Sequence, residues 1–285
     1  MSHELNLSSS EFINFSCNAP VQQFVDTINN VSWEFRQGGP VERDEAVIII
    51  SGIYDTTNSM YIIGDGLIKS GYRVLIISIP PYESVSQFLT GFDLLTASKM
   101  ISKVHLVGFG FGGFLALHLT SFHSLSAEII SLTLIASYME TKLFNHSVSF
   151  FTALTGKGDL IDEVSRGNLP KDLEESTKFI INEIKSLPSS VVSARIHMRA
   201  KAPRAPLPKL SADRILIVQP TDWAFKFEAT AIPQKMIKGA KYIKIEKGGH
   251  HPHLANPDVL IQIIKEHISN FHPVLAGEPL VEEID

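Results

Sequence analysis

Five runs of the chain are apolar at nearly every position and rich in β-branched residues: AVIIIS (46–51), RVLIIS (73–78), KVHLVG (103–108), SLTLIA (131–136) and RILIVQ (214–219). A sixth, KYIKIE (241–246), mixes apolar with polar positions. Continuous apolar runs suit strands covered on both faces, as in a parallel sheet. Between them lie stretches that read as helices, at 58–71, 91–101, 112–123 and 256–271. The last opens Asn256-Pro257, a favoured cap and first-turn pair. Strands alternating with helices predict an α/β protein with a doubly wound, mostly parallel central sheet and helices on both faces.

One region breaks the alternation. From 138 to 209 the pattern is helical with loops, including LEESTKFIINEIKSL (173–187). KAPRAPLPKL (201–210) then reads as a Pro-rich connector back to the sheet. The expectation is a single domain over 1–285 with a helical cap insertion at 138–209, placed over the C-terminal edge of the sheet. The first forty residues, with Trp33 and Phe35, are expected to add edge strands, and VLAGEPLVEEID (274–285) reads as a frayed end.

Composition narrows the function classes. The chain has 285 residues, of which 44% are hydrophobic and 19% charged, enough for one sizeable core. A net charge of -5 argues against a nucleic-acid partner, which needs a basic face. The lysines of KMIKGAKYIKIEK (235–247) read as a solvated face. Cys17 is the sole cysteine, so no intramolecular disulfide forms. No apolar run approaches the roughly 20 residues of a membrane-spanning helix, and MSHELNLSSSEF is too polar for a secretory signal. Residue 2 is Ser, not the Gly of myristoylation, and VEEID carries no prenylation box. The expectation is a cytoplasmic protein without direct membrane insertion.

The candidate chemistry begins after the run KVHLV. There the sequence reads Gly108-Phe109-Gly110-Phe111-Gly112-Gly113. A strand, then G-x-S-x-G, then a helix is the nucleophile elbow of α/β-hydrolases, whose middle residue adopts a strained backbone of positive φ. Here that residue is Gly110: the hydroxyl is gone, and glycine takes positive φ without strain. The string also matches G-x-G-x-x-G, a dinucleotide loop. Against that reading, the preceding strand is not the first, and Glu128 stands before its strand rather than at the end of one. No cofactor is expected. Phe109 and Phe111 read as core.

The other triad positions are kept. After RILIVQ comes PTDW with Asp222, and after KYIKIE comes KGGHHPHLANP with His250. In the loop after the first central strand, the backbone of Gly52 and Ile53 would supply one side of an oxyanion hole and the amide of Phe111 the other. Ser51 is at no elbow and has no evident base. His250, His251 and His253 also bring metal ligation to mind, but adjacent histidines point apart and no second ligand cluster is visible, so no metal site is expected.

Several stretches resemble the maspardin family, intracellular proteins of the α/β-hydrolase fold. They are GYRVLIISIPPYES (71–84), FLTGFDLLTASKMISKVHLVGFGFGGFLALHL (88–119), SLTLIASYMETKLFN (131–145), KFIINEIKSLPSSVVSARI (178–196), ILIVQPTD (215–222) and GGHHPHL (248–254). The resemblance covers about two hundred residues in matching order. It implies a non-catalytic or doubtfully catalytic protein that binds a protein partner, such as the cytosolic tail of a membrane receptor, at endosomal or trans-Golgi membranes. The family's elbow commonly has serine where this chain has Gly110, and the family is not dependably histidine where this chain has His250. Gly110, Asp222 and His250 therefore read as vestigial triad positions. A second reading is a serine-independent enzyme in which a His250–Asp222 dyad acts as general base, with His250 titrating near neutrality. A weak hydrolase using a displaced serine is the third.

Overall fold

The computed structural model describes residues 3–147, 152–165, 173–222, 232–246 and 248–271. In chain order its elements are α1 (Ser10–Asn18), β1 (Val21–Asp26), β2 (Val31–Gly38), β3 (Glu45–Ile50), α2 (Tyr61–Lys69), β4 (Val74–Ile77), α3 (Val85–Ser98), β5 (Lys103–Phe109), α4 (Phe111–Leu119) and β6 (Glu128–Ile135). Then follow α5 (Thr152–Val164), α6 (Glu174–Ser186), α7 (Ser189–Lys201), β7 (Ile215–Pro220), α8 (Pro233–Met236), β8 (Lys241–Ile245), α9 (Pro252–Ala255) and α10 (Pro257–Ser269). The strands form one sheet in the order β1-β2-β4-β3-β5-β6-β7-β8. β1 and β2 pair antiparallel, as do β2 and β4; the other pairings are parallel.

The apolar runs become the central strands for the expected reason. Every residue of β4 is buried, as are all but the first of β3 and β5. β8, the half-polar candidate, closes one edge, and Lys241 and Lys244 on it are exposed. The first forty residues supply the other edge. There the Trp33 Nε1–H donates to the Tyr82 hydroxyl (2.7 Å), which donates to Asp26 (2.6 Å). α3 starts at Val85, six residues before the apolar spacing suggests, because Ser84 caps it by accepting from the Gln87 amide.

The chain runs from β3 out to β4 and back to β5 on the other side of β3. Strand order therefore reverses between β3 and β5, and the loops leaving their C-terminal ends meet there. Open α/β sheets place their ligand crevice at such a switch point. Helices α5, α6 and α7 occupy the chain between β6 and β7, where the cap insertion is expected. Parts of that expected cap, 148–151 and 166–172, and the expected frayed end at 274–285 lie outside the described residues. Among the described residues, no helix is long and apolar enough to cross a membrane.

Two histidines, His267 buried and His118 half-buried, couple the fold to pH. His267 on α10 donates Nε2–H to the Arg214 carbonyl (3.2 Å), and His118 on α4 packs on the Phe114 ring (4.9 Å between centroids). Burial pulls both imidazoles down to about 4. Their folded values lie below the ordinary 6.5, so the unfolded chain takes up protons first. Their contribution is complete above pH 6.5 and is lost as pH falls towards 4. Thermal unfolding followed from pH 7 to pH 4.5 should show a falling Tm, with a shallower fall in a His118→Phe, His267→Phe double variant. Equal slopes in the two proteins would refute the assignment.

Candidate functional site

The corner between β5 and α4 is built from backbone contacts that no side chain could enter. A Cβ on Gly112 would stand 2.2 Å from the Ile50 carbonyl oxygen, and one on Gly108 would stand 2.4 Å from Gly113 Cα. Gly110 is the opposite case. Its φ of 50° and ψ of −114° give the left-handed corner expected of an elbow, and among the described residues a Cβ there would meet only the Ala136 carbonyl oxygen, 3.9 Å away. The Gly110 amide donates to the Ile135 carbonyl (2.9 Å), and its own carbonyl accepts from the Phe114 amide and the Ser137 hydroxyl (3.1 Å). Ala136 beside it also holds a positive φ, 47°. The corner thus keeps the elbow's shape and lacks the side chain.

A cavity of about 30 Å³ opens beside Gly110, with Tyr54, Asp55, Phe111, Tyr138, His250 and His253 on its walls. The space is enough for a water molecule. Phe109 and Phe111 are buried and belong to the core.

Asp222 and His250 lie on the two loops expected to carry acid and base. Asp222 Oδ1 accepts from the amides of Gly248 (3.0 Å) and Gly249 (2.8 Å), the two residues that lead into His250. Burial pulls His250 down to about 4, against the opposing pull of the Asp222 and Glu163 carboxylates. An imidazole near neutrality, which the dyad reading expects, is not what this environment favours.

The oxyanion side departs further from a hydrolase. The Gly52 amide, expected to face an oxyanion, donates instead to Asp55 Oδ2 at 2.9 Å. Asp55 is buried, with Oδ1 taking a hydrogen bond from the Ser59 hydroxyl at 3.3 Å. Burial alone would raise this carboxyl; the imidazoles, His253 first, and the Gly52 amide outweigh it and hold it below its ordinary value. A negative group therefore sits where an acyl-transfer enzyme needs positive potential.

Asp55 also gathers two of the three histidines of the loop after β8. His253 Nε2 stands 3.4 Å and His251 Nδ1 3.9 Å from Asp55 Oδ1. The ligand atoms of the three residues all lie within 4.8 Å of one another, and all three residues are buried. The sequence offered His-Pro-His on its own; the third member comes from the loop after β3, and no local spacing announces it. The one available signal was an Asp three residues after Gly52, at the C-terminal end of a strand.

Buried polar contacts fasten α5, α6 and α7 to the same loop. Arg195 on α7 donates to the carbonyls of Ile79 (2.8 Å), Ile53 (3.2 Å) and Asp55 (2.9 Å) and to the Ser78 hydroxyl (2.7 Å). Burial pulls its guanidinium down to about 10, although nearby carboxylates oppose the shift. Arg199 on α7 meets Glu163 on α5 through two bonds of 2.8 and 2.7 Å, and the Tyr54 hydroxyl donates to the same carboxylate (2.7 Å). Thr56 donates to Glu183 on α6.

With this geometry established, similarity to known proteins can be placed. No protein-family model matches the chain. Maspardin of Danio rerio is 23% identical over 265 residues, covering 90% of this chain and 85% of that protein. Maspardin of Homo sapiens is 24% identical over 254 residues, covering 87% and 82%. The chain is similar to maspardin and has the α/β-hydrolase fold. Solved structures agree on that fold. A thermophilic esterase from Thermogutta terrifontis superposes with a TM-score of 0.68 at 17% identity, over 89% of this chain and 100% of that one. An enol-lactonase from Burkholderia xenovorans gives 0.66 at 15%, over 85% and 98%. An epoxide hydrolase from Vigna radiata gives 0.64 at 13%, over 89% and 99%. At these identities the likeness concerns the fold alone. In this chain, Gly110 stands at the position of the elbow serine.

The two kinds of glycine at the elbow separate in stability. Gly110→Ala should cost about 1–2 kcal/mol, the strain of a positive φ in open space. Gly112→Ala must push backbone from backbone and should cost about 4 kcal/mol or prevent folding. Urea unfolding midpoints test the order; equal losses would contradict the corner described here.

Proposed function

We propose that this chain is a non-catalytic α/β-hydrolase-fold protein acting as an intracellular protein-binding adaptor. Its partner is a protein, such as the cytosolic tail of a membrane receptor, and its place is the cytoplasmic side of endosomal or trans-Golgi membranes. The observation that carries the non-catalytic part is Gly110 at the corner. Among the described residues, the adjoining cavity is lined by no Ser, Thr or Cys. Removing a triad nucleophile forfeits most of the rate such enzymes achieve. The Asp55 carboxylate on the Gly52 amide supports the same reading, since loss of one oxyanion donor alone costs about 10²–10³ in rate. The resemblance to maspardin supports the partner class and the membrane.

A serine-independent enzyme using a His250–Asp222 general base is the second reading. It is favoured by the two amides that fix Asp222 beside the His250 loop. It expects turnover lost on His250→Ala.

The purified protein should not be labelled by a fluorophosphonate probe and should hydrolyse a short acyl ester no faster than buffer. Gly110→Ser alone should remain nearly inactive, because the Gly52 amide stays bound to Asp55. Gly110→Ser with Asp55→Ala, which frees the Gly52 amide, should gain more than Gly110→Ser alone. Labelling of the unaltered protein, or a gain of several orders of magnitude from Gly110→Ser alone, would overturn the reading. Affinity capture from cells should recover the same partner with the unaltered protein and with Gly110→Ser, because binding does not need the hydroxyl.

A further inference from the structure

We infer that Asp55, His251 and His253 form a binding site for a divalent transition-metal cation of the zinc type, with one coordination position open to the cavity beside Gly110.

His251 and His253 are buried, and none of their four ring nitrogens has a hydrogen-bond partner among the described residues. Buried polar groups are nearly always satisfied, and each unmet one is costly. The 3.4 Å approach of His253 to Asp55 is an electrostatic contact without hydrogen-bond alignment. His251 Nδ1, His253 Nε2 and Asp55 Oδ1 lie close together, and Oδ1 keeps lone-pair capacity beyond the Ser59 hydroxyl. A cation would take one lone pair from each of these three atoms.

The dimensions fit. Zinc takes imidazole nitrogen and carboxylate oxygen at about 2.0–2.2 Å, and a tetrahedral arrangement then separates ligand atoms by roughly 3.3–3.5 Å. Here the His253 nitrogen and the Asp55 oxygen are already 3.4 Å apart, and the His251 nitrogen is 3.9 Å from that oxygen. Asp55 Oδ2 is held by the Gly52 amide and Oδ1 by Ser59, an outer shell that aims Oδ1 at the histidines. Asp55 and His253 both line the cavity, so a fourth ligand, water or a small anion, would enter from there. An imidazole-carboxylate set suits zinc or cobalt better than magnesium or calcium, which prefer all-oxygen shells. The inference concerns occupancy and stands whether or not the protein turns over a substrate.

The test uses the full chain, freed of metal by chelator and titrated with zinc by calorimetry. One equivalent should bind with a Kd of about 1 μM or tighter, and zinc should raise Tm while magnesium does not. His253→Ala and His251→Ala should each weaken binding by about 100-fold or more, whereas His123→Ala, at an exposed position, should leave it unchanged. Should the buried variants fail to fold, the unaltered protein still decides the question. On adding zinc, long-range ¹H–¹⁵N spectra should show two histidine rings changing together, and cobalt should give the visible bands of a four- or five-coordinate nitrogen-oxygen site. No saturable equivalent, binding insensitive to His251 and His253, or ring shifts confined to other histidines would overturn the inference.

Discussion

The carboxylate of Asp55 is the interaction on which the site depends. One oxygen takes the Gly52 amide, the other faces Ser59 and two buried imidazoles, and the backbone carbonyl of the same residue is gripped by Arg195. A single residue therefore sets the conformation of the loop after β3, the sign of the potential beside the elbow and the position of α7. In an acyl-transfer enzyme this loop offers backbone donors to a developing negative charge. Here one of those donors is already spent on a fixed negative charge.

The second constraint is the approach of α4 to β3 and β5. The flanking glycines allow backbone to pack on backbone, and this contact is required for the fold whatever residue 110 carries. Only the middle position is free of that demand, which explains how an elbow can persist without its nucleophile. A serine there would pay for its exposure with strain; Gly110 adopts the same corner at none. The shape of the machinery and its chemistry are thus separable, and likeness to esterases, lactonases and epoxide hydrolases reports the shape.

The buried ties of α5 and α7 have a different role from simple stabilisation. An ion pair such as Arg199–Glu163 gains little over well-packed apolar residues, but breaking one partner costs about 3–5 kcal/mol. Such pairs penalise every position of α5 and α7 other than the observed one. With Tyr54 and Arg195 also engaged, α5, α7 and the loop after β3 are held in register.

The strands, their burial and the existence of the elbow were legible along the chain, because continuous apolar runs, Gly-x-Gly spacing and the Asn-Pro helix start are local patterns with local causes. The absence of a hydroxyl at 110 needed no structure at all. The start of α3 was misplaced because a single serine cap outweighed apolar spacing. What folding alone decided was the company each polar residue keeps. Asp55 lies far from His251 and His253 in sequence, and only the parallel pairing of β3, β5, β6, β7 and β8 brings the loops leaving β3 and β8 to one end of the sheet. The occupied Gly52 amide and the low proton affinity of His250 have the same origin. Both arise from burial and from partners that close across the fold, and neither leaves a period or a spacing in the chain.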